Sequence, residues 1–278
     1  MATRTTVERA GVRLSVEEAG EGIPVVLLHG LTGSRRYVVM GSRALERSGH
    51  RVVAYDARGH GQSSPAPAAD AYAYDGLAAD LAGVLDDLDV GRAVLAGASM
   101  GAHTILRLAL HAPERVAAMV AITPGYDPQT ADDPDRLARW DALAAGLREG
   151  GVEGFVAAYG EPVVPERWRD TVRQVLRQRL SAHEHPDAVA DALSVVPRSH
   201  PFGAIDDLGA IDAPVVVVAS RDEADPEHPF ALAQAYADAI PGARLVSEDE
   251  GQSPLAWQGG RLSKVIAELA TQADLAPL

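Results

Sequence analysis

The chain has 278 residues and not one cysteine. That excludes disulfides, thiolate metal sites and a cysteine nucleophile, and leaves the redox compartment open. Lys264 is the only lysine, so arginine carries almost all the positive charge and Schiff-base chemistry has no other position open to it. Basic runs are absent and the formal net charge is −14, so nucleic acid is not an expected partner. The acidic residues are dispersed, which reads as a solvated surface. No apolar stretch approaches the ~18 residues a membrane span needs, and Met1-Ala-Thr-Arg-Thr-Thr lacks the apolar centre of a signal peptide. The expectation is a cytoplasmic protein that stays off the membrane and acts on a small molecule, as a monomer or homodimer.

The length suits one large α/β core with an insertion, or two small domains, and is ample for a core without staples. Val12 to Glu18 alternates as a strand does. Pro24 to His29, Arg51 to Tyr55, Ala93 to Gly97, Val116 to Ile122 and Pro214 to Ala219 are continuous apolar runs, as expected of strands buried on both faces. Ala243 to Val246 reads as a last short strand. Helical faces fall between them: Arg36 to Ser48, the set Leu77, Leu81, Val84, Leu85 and Leu88, and Ala102 to His111. Phe230, Ala233, Ala237 and Ile240 make another, and Leu262, Val265, Ile266 and Leu269 the last. Strands alternating with helices predict a mostly parallel sheet with helices on both faces, an α/β fold. The alternation stops at Pro124-Gly125. From Tyr126 to Ile205 only helical spacing appears, as in Trp168, Val172, Val175 and Leu176, so 126–205 reads as an inserted helical cap on a core of 1–125 and 206–278.

Two loops carry chemistry. Gly97-Ala98-Ser99-Met100-Gly101 sits between a buried strand and a helix, the context a nucleophile elbow requires. There a serine occupies a sharp, strained turn, small residues must flank it, and the helix start favours a developing oxyanion. His29-Gly30-Leu31-Thr32-Gly33 follows an earlier buried strand, where a second oxyanion donor usually arises. Leu31 and Met100 are the candidate backbone donors, with Gly30 against the substrate; His29 is expected to order its loop.

These features, with Asp56-Ala-Arg58-Gly59-His-Gly61-Gln-Ser63 and the helical insertion, resemble the α/β-hydrolase superfamily over nearly the whole chain, in its esterase-, haloperoxidase- and C–C-hydrolase-like branch. The resemblance implies about eight strands, a substrate pocket between cap and sheet, and chemistry without a metal or other cofactor. It makes Ser99 the nucleophile and the Asp56–Ser63 stretch structural. It places the acid at Asp222, with Asp225 as the fallback. It puts the base in a Gly-His pair after the last strand, and here that pair is Gly251-Gln252. Glutamine does not titrate and takes no proton from serine. Loss of the histidine costs triad enzymes about 10⁶ in turnover.

Other groups are therefore candidates for the base. His228 lies at a helix start beside the acid loop, His103 one turn into the elbow helix, and Glu250 next to the Gly-Gln pair; His183, His185 and His200 belong to the cap. Cap aromatics Trp140, Phe155, Tyr159, Trp168 and Phe202 either line an apolar site or glue cap to core. An inward-facing arginine among the many in the cap would imply a carboxylate-bearing substrate. The leading expectation is a serine hydrolase of a small ester, lactone or related carbonyl compound with a degenerate triad. The alternatives are a lyase, isomerase or cyclase that reuses the oxyanion site, with Gln252 positioning substrate, and a ligand-binding protein that lost turnover.

Overall fold

In the computed structural model, which describes residues 2–221, 225–273 and 275, each doubly apolar run is a strand of one sheet. The strands are β1 (Thr3–Arg9), β2 (Val12–Ala19), β3 (Ile23–Leu28), β4 (His50–Tyr55), β5 (Ala93–Ala98), β6 (Val116–Ile122), β7 (Val215–Val218) and β8 (Arg244–Val246). Their order across the sheet is β1-β2-β4-β3-β5-β6-β7-β8. Pairs β1–β2 and β2–β4 are antiparallel, and the rest are parallel. The helices are α1 (Ala44–Arg47), α2 (Tyr74–Asp87), α3 (Met100–His111), α4 (Pro134–Tyr159), α5 (Glu166–Leu180), α6 (Pro186–Val195), α7 (Phe230–Ala239) and α8 (Gly259–Ala270).

Side chains alternate across a strand, and in β3 this divides Val26 and Leu28 from Val25 and Leu27. The first pair joins the layer of Leu81, Leu85, Ile105 and Tyr236, from α2, α3 and α7. The second joins the layer of Leu45, Leu262, Ile266 and Leu269, from α1 and α8. Both faces of the sheet are thus covered, which is why these runs show no polar alternation.

One expected helix is broken. The span 36–48 holds a 3₁₀ turn at Arg35–Tyr37 and the short α1. Between them Met40 and Gly41 both take positive φ (49° and 72°), and the Gly41 N–H returns to the Arg36 carbonyl at 3.0 Å. The break lets Val38 and Val39 turn into the core.

The Asp56–Ser63 stretch is a cross-braced turn. Asp56 pairs with Arg35 and accepts the N–H groups of Arg35 (2.8 Å) and Gln62 (3.0 Å). A Cβ on Gly61 would lie 2.2 Å from that carboxylate, so only glycine fits. Arg58 makes a bidentate pair with Asp80 of α2 at 2.7 Å on both arms and donates to the Ala71 carbonyl at 2.7 Å. Both charged residues are buried. Removing one member of a buried pair strands the other charge. Asp80→Ala is therefore expected to cost about 3–5 kcal/mol, read as a lower urea midpoint at unchanged denaturant slope.

Between β6 and β7 lie α4, α5 and α6, the inserted helical region. The long α4 breaks at Gly151 (φ 60°). Its halves fold together at Gly146 and Gly154, where a Cβ on either would strike the other's carbonyl within 2.6 Å. Leu143, Leu147, Phe155, Leu176 and Leu193 pack on Leu31, Tyr74 and Met100 of the core. The site therefore lies under this layer. Among the described residues no helix is long and apolar enough to cross a membrane.

Candidate active site

Ser99 sits between β5 and α3 with φ 48° and ψ −110°. A non-glycine residue in that region is strained, a cost typical of functional sites. The glycines on either side make the turn possible. A Cβ on Gly97 would lie 2.2 Å from the Gly101 carbonyl oxygen, and one on Gly101 2.3 Å from that of Leu28. Serine at a helix N-cap ordinarily bonds the first-turn N–H groups, but the Ser99 side chain makes no such bond. Its Oγ instead meets His228 Nε2 at 3.0 Å.

His228 lies in the loop between β7 and α7. Its N–H donates to the Asp225 carbonyl at 3.2 Å, closing a turn across Pro226 and Glu227. That turn brings Asp225 Oδ1 within 2.9 Å of His228 Nδ1. The carboxylate accepts the Nδ1 proton, which leaves Nε2 a lone pair facing Ser99. Burial pulls the His228 pKa down. The charge and hydrogen bond of Asp225, with Glu227 behind it, outweigh that and hold it above the ordinary histidine value. Gly125 makes room for the ring, since a Cβ there would come within 2.8 Å of His228 Cδ2.

His103, His183 and His200 are committed elsewhere. His103 Nε2 accepts the N–H groups of Gly125 and Tyr126, both at 3.1 Å, so Nδ1 donates to Tyr74 Oη at 2.9 Å. Burial, with the nearby charges of His228 and Arg136, lowers its pKa to about 3. It joins the elbow helix to the start of the insertion as a neutral ring. His183 Nδ1 accepts from the Gly61 N–H at 2.8 Å, and His200 meets Tyr126 Oη at 2.9 Å.

His29 shapes the loop after β3. Its Nε2 accepts the Ala57 N–H at 2.9 Å and its Nδ1 donates to the Gly30 carbonyl at 2.8 Å. Burial, with His60 beside it, keeps the ring neutral. The same carbonyl accepts from Gly33 N–H at 2.8 Å. In a trans peptide N–H and C=O point opposite ways, so these two donors turn the Leu31 N–H away from themselves. Gly30 abuts the elbow, with a Cβ there 3.5 Å from that of Ser99. The Met100 N–H opens α3, where first-turn N–H groups lack intrahelical acceptors.

Gln252 lies elsewhere. It is exposed, and its N–H closes a turn on the Asp249 carbonyl at 3.0 Å. Glu250 is also exposed. Just before them Glu248 is a buried carboxylate that accepts the N–H groups of Arg221 (2.6 Å) and Leu255 (3.0 Å). It anchors the chain on the near side of residues 249–252, all of which are exposed. Asp222 lies outside the described residues.

Ser99 and His228 open into a cavity of about 1680 Å³ under the cap, larger than the ~300–1,000 Å³ of most small-molecule sites. Gly30, Leu31, Met100, Trp140, Phe155 and Trp168 all line it. Trp168 meets Trp257 of the core edge-on at 5.8 Å between centroids. Phe202 is not in the lining and packs edge-on against Tyr126. Among the described residues no group of three His, Asp or Glu side chains is arranged to hold a metal.

The sheet order, the strained serine and the capped cavity define an α/β-hydrolase, and the chain belongs to the alpha/beta hydrolase fold family, whose profile matches residues 23–252. It is a hydrolytic enzyme of that fold. Over 232 residues it is 32% identical to a Variovorax paradoxus protein named "Putative carbamate hydrolase RutD", covering 83% of this chain and 84% of that one. Among solved structures it resembles a thermophilic esterase from Thermogutta terrifontis with malate bound (TM-score 0.79, 27% identity, 97% of this chain and 98% of that one). It also resembles Est816, described as an N-acyl homoserine lactone degrading enzyme (TM-score 0.74, 28% identity, 95% and 98%).

Proposed function

We infer that this chain is a serine hydrolase of small esters, lactones or related carbonyl compounds, working between the core (1–125 and 206–278) and a cap (126–205). Its triad is Ser99, His228 and Asp225. The observation that carries this reading is the 3.0 Å approach of His228 Nε2 to Ser99 Oγ, with Asp225 on the other ring nitrogen at 2.9 Å. The relatives named as an esterase and a lactone-degrading enzyme support the substrate class.

The chemistry follows from the proton inventory. Ser99 Oγ attacks the carbonyl carbon as its proton passes to His228 Nε2. The imidazolium is stabilised by the Asp225 carboxylate at Nδ1. Negative charge gathers on the former carbonyl oxygen, and the N–H groups of Leu31 and Met100 receive it. His228 returns the proton to the departing alcohol. Water then enters, gives a proton to the same nitrogen and attacks the acyl carbon, and His228 returns that proton to Ser99 Oγ as the bond to the acid breaks. Gln252 takes no part, so the alternatives that give it a positioning role have no support from its exposed location.

The test is turnover of p-nitrophenyl acetate and butyrate together with labelling by an aryl fluorophosphonate. Expected are ready release of nitrophenol and a single adduct on the Ser99 peptide by mass spectrometry. Trace turnover with no adduct would move the search to ligand binding and non-hydrolytic chemistry.

A further inference from the structure

Most cap arginines have partners. Arg139, Arg148, Arg177 and Arg198 pair with Glu227, Asp191, Glu153 and Asp141, all at the surface. Arg136 is held by the carbonyls of Ala131 and Pro197. Arg179 differs from these. It occupies the last turn of α5, between Leu176 and Leu180, whose burial directs that face inward. Arg179 lines the cavity, and its Nε is buried with no hydrogen-bond partner. Among the described residues no carboxylate reaches its guanidinium, which lies over the ring of Tyr37 at 5.5 Å from the centroid. Tyr159, also in the lining, is close enough to feel its charge, as are Asp225 and His228.

Burying a cation without a partner is costly, and such charges are ordinarily paired. Arginine over an aromatic ring presents its N–H fork edgewise, in the geometry that carboxylates accept. Asp225 is already engaged by the Nδ1 proton of His228, so the open position faces the cavity.

We propose that Arg179 is a specificity residue that binds a carboxylate carried by the substrate, so that the preferred substrates are anionic esters or lactones and not neutral ones. The proposal rests on the serine-hydrolase reading above and names the substrate class for that site. The anion sits on the α5 side of the cavity that Arg179 and Ser99 both line. The reacting carbonyl is then held between two anchors, Arg179 and the N–H pair at Ser99.

The experiment compares esters matched in shape and differing in charge. 4-Nitrophenyl hydrogen glutarate is set against 4-nitrophenyl pentanoate for a carboxylate on the acyl side. 4-Acetoxybenzoate is set against 4-methylphenyl acetate for one on the leaving-group side. In the wild type, kcat/KM is expected to favour the anionic member of at least one pair by roughly tenfold or more, the scale of a charge-assisted hydrogen bond. Arg179→Met is expected to abolish that preference, chiefly through KM, and Arg179→Lys to restore part of it. An equal loss on both members, with the acid limb of the pH profile moved, would assign Arg179 to the tuning of His228 and overturn the proposal. So would a wild type indifferent to charge.

A binding arm separates the two readings. 5-Oxohexanoate and 2-hexanone are titrated calorimetrically into the Ser99→Ala protein and the Ser99→Ala/Arg179→Met protein. Tighter binding of the keto acid, lost with Arg179, supports the anion site even if no ester is turned over. Equal weak binding of both compounds overturns it even if ester hydrolysis is brisk.

Discussion

His228→Gln is expected to lower kcat on p-nitrophenyl butyrate by about 10⁶, and Ser99→Ala by a similar factor. That is about 8 kcal/mol of barrier. The double variant should be no slower than either single one, because nucleophile and base act as a unit. A residual rate of roughly 10³–10⁴ over water should persist from the oxyanion donors and binding. Gln252→Ala is the contrast. Its side chain is exposed, so activity should stay within about twofold, in line with the small effects of surface substitutions. The result that sinks this assignment is an active His228→Gln protein beside an inactive Gln252→Ala one.

The second large effect belongs to Asp225→Asn, expected to cost about 10⁴ in kcat. The amide donates to Nδ1 instead of accepting from it, so the proton is left on Nε2, facing Ser99. The pH profile supplies an independent sign. The base works when neutral, so kcat/KM falls as pH drops through the His228 pKa. Asp225 holds that pKa above the ordinary value of about 6.5, so the acid limb of the wild type should turn above 6.5. Without the carboxylate, burial and the Arg179 charge both lower the pKa of the ring and only Glu227 opposes them, so the limb should move to lower pH. A limb unchanged by the substitution would separate Asp225 from the titrating group.

The positions of Asp225 and His228 show where sequence reading stops. Their i, i+3 spacing across Pro226 is a local signal, a turn able to set a carboxylate against an imidazole. What masked it was the expectation of a base after the last strand. Gln252 occupies that register, yet it is exposed, while the nearby Glu248 is buried. The helix expected over 36–48 failed for a related reason. Its composition allows a helix, but burying Val38 and Val39 requires the positive-φ turn at Met40-Gly41.

The sequence alone determined what short-range physics controls. Doubly apolar runs had to become interior strands, because a face left in water would waste their burial. Gly97 and Gly101 had to flank Ser99, because any Cβ there meets backbone within 2.3 Å. The helical character of the insertion followed from the spacing of residues such as Trp168, Val172, Val175 and Leu176. Tertiary structure decided everything that depends on distance in space. It brought His228 to Ser99 from 129 residues away, committed His103 to Gly125 and Tyr126, and left Arg179 with no carboxylate partner among the described residues, in a cap where most arginines are paired. Periodicity records which face of an element is buried. It carries no record of which buried side chains meet, since that is set by how the elements pack.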